Sequence, residues 1–147
     1  MSDEEVVIRL TQDECWDMLR EEEFGRLAFR LVDEVHITPI NYAVDHDPVT
    51  GHRSLLFRTA EGTKLLGVVM NPDVAFEVDE LVAETAASVI VRGRARRLEE
   101  DEAHRAENVP LRPWVDTPKW DVVEIEVTDI SGRHFELARP WARIRPD

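Results

Sequence analysis

A single cysteine, Cys15, in a chain of 147 residues excludes an internal disulfide framework and leaves no cysteine spacing for a metal site. Long hydrophobic runs are missing too. None approaches the roughly 20 residues of a membrane-spanning helix, and the opening "MSDEEVVIRL" has no basic stretch ahead of an apolar one. Basic residues are scarce, 18 Lys and Arg against 31 Asp and Glu, for a formal net charge of -13. Such a field repels polyanions, so neither nucleic acid nor a membrane is expected as a partner, and any anion must be bound locally. A soluble, cytoplasmic protein is the expectation.

Chemical signatures are equally sparse. The five histidines, His36, His46, His52, His104 and His134, lack paired zinc-ligand spacing, so no metal is expected. No nucleophile elbow and no glycine-rich nucleotide fingerprint follows a strand. Catalysis by side chains alone is not visible, and any chemistry is expected to come from a cofactor.

What is present suits one folded domain over residues 1–147, because a 43% hydrophobic and 33% charged composition is that of a globular chain. "LTQDECWDMLREEE" carries a capping box, Thr11 with Glu14, ahead of a narrow apolar stripe of Cys15, Met18 and Leu19, with Leu10 placed to staple against Cys15. That predicts a short surface helix. From Phe24 the pattern changes to β-branched and aromatic runs, "FGRLAFRL" and "EVHITPINYAV", then "SLLFRTA" after a turn in "DHDPVTGHR". "GTKLLGVVMNP" reads as a short helix stopped by Pro72. "DVAFEVDEL", "ASVIVRGRARRLEE" and, after a polar helix and a Pro- and Trp-containing loop, "WDVVEIEVTDI" complete six strands, with "SGRHFELARPW" and beyond as an irregular tail. A mainly β fold follows, a closed or partly closed antiparallel barrel with a few short helices.

Two stretches carry candidate binding chemistry. In "LFRTAEGTKLL", Arg58 and Thr59 leave a strand end, Gly62 permits a tight connection, and Thr63 and Lys64 stand at a helix start whose free N–H groups favour an anion. Taken locally, the choice between a phosphate cradle and an ordinary capped helix is open. In "HITPINYAV", Pro39 cannot donate to a sheet ladder and marks an edge, bulge or split, where backbone groups of Ile40 and Asn41 are expected to read a planar heterocycle, with Tyr42 beside them. Arg92, Arg94 and Arg96 form a cationic stripe, for which cross-strand pairing with Glu77 or Asp79 is the simpler expectation.

The ordered set "GRLAF", "ITPINYAV", "LLFRTAEGTKL", "NPDVAFEVD" and "SVIVRGRARRL" resembles the pyridoxamine 5'-phosphate oxidase-like family of FMN-binding split barrels, especially its small nitroimidazole-resistance-like members. The resemblance implies a six-stranded antiparallel split barrel and a homodimer with flavin in clefts between the chains. It also implies that Ile40, Asn41 and Tyr42 approach the isoalloxazine ring, while Phe57, Arg58, Thr59, Gly62, Thr63 and Lys64 hold the ribityl phosphate. The carboxy-terminal "SGRHFELARPW" is not a copy of the substrate signature of true pyridoxamine-phosphate oxidases, so vitamin B6 oxidation is not expected. An FMN-dependent oxidoreductase acting on a small molecule is the leading expectation. The alternatives are a reductase using the deazaflavin F420, whose anionic tail would lie toward Arg92 and Arg94, and a non-catalytic flavin-binding dimer. Trp114 more simply packs on its own barrel than walls the flavin.

Overall fold

The computed structural model describes residues 7–60, 62, 67–68, 70–111 and 121–137. Its elements are β1 (Val7–Arg9), α1 (Gln12–Glu21), β2 (Phe24–Leu31), β3 (Glu34–Asn41), β4 (Ala43–His46), β5 (Arg53–Thr59), β6 (Asp73–Val82), β7 (Thr85–Arg97), a 3-10 turn (Ala103–Asn108) and β8 (Asp121–Glu136).

Every strand pairs antiparallel with its neighbours in the order β3-β2-β6-β7-β8-β5-β4, and β1 adds to β8. The two ends of that path, β3 and β4, are consecutive in the chain with only Tyr42 between them. The sheet therefore curls until its ends come within one residue of meeting, yet no ladder joins them. That is a split barrel.

The described residues form eight strands rather than six. "EVHITPINYAV" is divided at Tyr42 into β3 and β4, and the amino-terminal β1 has too few residues to show a period. The tail expectation needs a correction as well. Ser131–Glu136 is not irregular but the end of β8, paired with the start of β7 and with β1. Strands this long stay paired because the ladder bends at a bulge between Arg92 and Gly93, where Thr128 is left over and its hydroxyl donates to the Arg92 carbonyl at 3.1 Å. Gly93 is required there. A Cβ on it would lie 2.3 Å from the Glu126 carbonyl oxygen.

Both tight hairpins turn through left-handed residues, Val32 at φ 56° and Ala83 at φ 52°, as the right-handed twist of paired strands demands. The capping box of α1 forms as the sequence predicts, the Glu14 N–H donating to the Thr11 hydroxyl and the Thr11 N–H to the Glu14 carboxylate.

The inward faces supply one core from Leu27, Phe29, Leu55, Phe57, Phe76, Val89, Val91, Val123 and Ile125, and α1 closes it with Cys15, Trp16, Met18 and Leu19. Burying each large side chain contributes roughly 1.5–3 kcal/mol, so the barrel interior is the main source of stability. A smaller cluster lies outside the barrel, where Leu98, Ala106 and Leu111 pack on Ala43, Leu56 and Val122. A polar helix was expected in this segment. Its six-residue 3-10 turn presents only Ala106 as a buried residue, too narrow an apolar face for a longer helix.

Candidate functional site

Two segments distant in sequence converge at the split. Ala43, the first residue of β4, pairs with Leu56, which brings the end of β3, where Ile40 and Asn41 are still paired with Gly25 and Phe24 of β2, and the intervening Tyr42 alongside Phe57 to Thr59. The convergence depends on the curl of the barrel. Neither segment reaches the other through local structure.

The side chains at this meeting point divide by strand alternation. Ile40 and Phe57 are buried in the core, and Asn41 is half-buried. Tyr42 is 2% exposed, its phenol donates to the Leu19 carbonyl at 2.7 Å, and its ring meets Phe76 edge to face at 4.7 Å. Burial pushes that phenol up from its ordinary pKa, and the nearby Glu22 charge adds to the shift. Tyr42 thus presents backbone, not its ring, at the split.

Thr59 points inward, with its hydroxyl donating to the Ala60 carbonyl at 3.1 Å. Arg58 points the other way, sharing an outward face with Ser54 and Leu56. Its Nε is shielded from water and, among the described residues, has no hydrogen-bond partner. A shielded guanidinium N–H without an acceptor is unfavourable, and an anion would satisfy it. Gly62 is exposed, with nothing within 4 Å of where a Cβ would stand. Thr63, Lys64 and Trp114 lie outside the described residues.

The arginine stripe is not paired as the sequence suggests. Glu77 and Asp79 are taken by Arg26 of β2, with Asp79 at 2.8 Å, because the β6–β7 register sets Glu77 opposite Ile90. Arg94 instead meets Asp73 at 3.4 Å, and Arg96 binds Glu102 and Glu124. Arg92 makes no ion pair among the described residues. It borders a groove of about 600 Å³ whose walls include Ala28, Arg30, Val35, Ala75 and Arg94.

One charged group escaped sequence reading. Glu124 is 1% exposed, accepts from Ser54 Oγ at 2.7 Å and Arg96 Nε at 3.1 Å, and is also bound by Arg105, which reaches Asp45 at 2.7 Å. Burial works against its ionisation, but the Arg105 hydrogen bond, with Ser54 and the Arg96 charge, outweighs that and holds the carboxyl below its ordinary value. The available signal was Glu124 on the same strand face as the apolar Val122, an unusual place for an unpaired acid.

Among the described residues no group of three or more His, Cys, Asp or Glu is placed to hold a metal, and no helix is long and apolar enough to cross a membrane.

Residues 11–134 match the model of the pyridoxamine 5'-phosphate oxidase family. The chain belongs to that family. Among its solved members, a provisional pyridoxamine 5'-phosphate oxidase from Corynebacterium glutamicum is 35% identical, covering 95% of this chain and 98% of that one with a TM-score of 0.77. The FAD binding protein from Mycobacterium smegmatis is 38% identical over 89% of this chain and 100% of its own, with a TM-score of 0.73. An uncharacterized protein of Mycobacterium tuberculosis is 45% identical over 58% of this chain and 78% of its own length.

Proposed function

We propose that this chain binds FMN at the split, as a homodimer, and uses it as an oxidoreductase toward a small molecule. The observation that carries the reading is the shielded Arg58 Nε, without a partner among the described residues, within a family that includes a FAD-binding relative. In this reading Arg58, Thr59, Gly62, Thr63 and Lys64 take the phosphate, while the backbone of Ile40, Asn41 and Tyr42 lies against the ring. The bound flavin supplies hydride transfer, and the chain contributes binding and orientation. A second copy is favoured by the exposed apolar side chains of Val35 and Ile37 on the terminal strand β3, a face that an isolated barrel leaves in water.

The test is a titration of purified protein with FMN, FAD and F420, followed by visible absorbance and repeated with Arg58→Ala and Lys64→Ala. FMN uptake is expected at micromolar protein. Arg58→Ala should weaken it about 10- to 100-fold, the value of one charge-assisted hydrogen bond of roughly 1.5–3 kcal/mol. Absence of flavin uptake by the wild type refutes the reading, and preference for F420 moves it to the deazaflavin. Reduction by NADH or NADPH, and sedimentation as a dimer, check the oxidoreductase and assembly components separately.

A further inference from the structure

A chain with formal net charge -13 ought to neutralise any half-buried arginine from within, yet Arg58 Nε has no acceptor among the described residues. The register explains where the nearest acid is. Arg58 lies opposite Val122 and Leu56 opposite Glu124, so all four side chains share one face of the β5–β8 ladder. Glu124 is then the diagonal neighbour of Arg58, at about 7–8 Å between backbones, a separation that an arginine side chain spans.

That carboxylate is already engaged at both oxygens. One oxygen accepts from Ser54 at 2.7 Å and from Arg105, and the other from Arg96 at 3.1 Å. Arg105 is held in turn by Asp45 at 2.7 Å, and its neighbour Ala106 packs on Leu56 and Val122 in the outer apolar cluster. Arg96 is fixed from the other side by two hydrogen bonds to Glu102, at 2.9 and 3.0 Å.

We propose that Arg105 is a positioning residue for phosphate binding: by occupying Glu124 it keeps Arg58 uncommitted and available to an external phosphate monoester. The inference rests on the flavin reading above and adds a role for two residues outside that cleft. Without Arg105, Glu124 retains a free acceptor, and Arg58 swings toward it. The phosphate then has to displace an internal ion pair, while a ligand lacking phosphate feels nothing.

The experiment compares dissociation constants for FMN and riboflavin in the wild type, Arg105→Met, Glu124→Gln and the double variant, with thermal melting to confirm folding. Wild-type protein is expected to prefer FMN. Arg105→Met should weaken FMN at least fivefold with riboflavin within twofold, and adding Glu124→Gln to Arg105→Met should restore FMN affinity because the competing carboxylate is gone. Equal loss for both ligands, or no restoration in the double variant, overturns the inference and leaves Arg105 as a packing residue. If the wild type does not prefer FMN over riboflavin, the phosphate reading itself falls and takes this inference with it. If the wild type prefers FMN and Arg105→Met preserves that preference, only the role of Arg105 is lost.

Discussion

The phenol of Tyr42 donates to the carbonyl of Leu19 at 2.7 Å, tying the single residue between β3 and β4 to the helix that closes the barrel. The Tyr42 N–H adds a second tie to the same region, donating to the Glu23 carbonyl just beyond the helix at 3.0 Å. Tyr42→Phe removes the buried donor and leaves the Leu19 carbonyl without it. We expect a loss of about 1–3 kcal/mol in urea unfolding, with flavin affinity changed less than threefold. Loss of flavin binding without loss of stability would place the phenol in the ligand site and contradict the inward orientation.

Acid should loosen the outer cluster before the barrel core. Glu124 ionises below its ordinary 4.5 in the folded chain, so the folded state binds fewer protons than the unfolded state as pH falls toward that value. Its contribution to stability is therefore complete above pH 4.5 and is lost as pH falls through the lower folded value. Melting temperature measured from pH 7 to pH 3 should fall more steeply below 4.5 for the wild type than for Glu124→Gln, which has no proton to take up. Parallel curves for the two proteins would show that Arg105, Ser54 and Arg96 do not hold Glu124 ionised.

The bulge at Gly93 admits no side chain. Gly93→Ala would set a methyl 2.3 Å from a backbone oxygen and 2.9 Å from Ile125 Cγ2, and the backbone cannot yield as a flexible side chain would. A loss of about 1–3 kcal/mol is expected from chemical denaturation. The bend that carries β8 past the barrel should relax with it. Wild-type stability in this variant would mean that the long β7–β8 ladder is straighter than described.

Much of the barrel was legible because alternation over β2, β6 and β7 records burial directly, whereas β5 is buried on both faces from Ser54 to Phe57. Leu27, Phe57, Phe76 and Val91 point inward where period two places them. The α1 start was legible for a different reason, since Thr11 and Glu14 satisfy helix-end groups within four residues. Strand β1 was not, because three exposed residues have no burial pattern to read. Its existence depends on Phe135, His134 and Arg133 lying opposite. The partners of Arg94 and Arg96 were misread because like alternation fits any register, and only the actual pairing sets Asp73 or Glu124 across from them.

The sequence by itself determined the strand faces, the capped helix, the family pattern and the two candidate segments, Ile40 to Tyr42 and Phe57 to Lys64, all of which are encoded in short-range order. Tertiary structure alone decided that the described parts of these segments meet, that Tyr42 turns inward, and that Arg58 Nε has no partner among the described residues while Glu124, 66 positions away in the chain, is engaged by others. The physical reason is that register and curl choose which charges become neighbours. Local sequence fixes the face on which a side chain stands, but not the residue that stands beside it across the sheet.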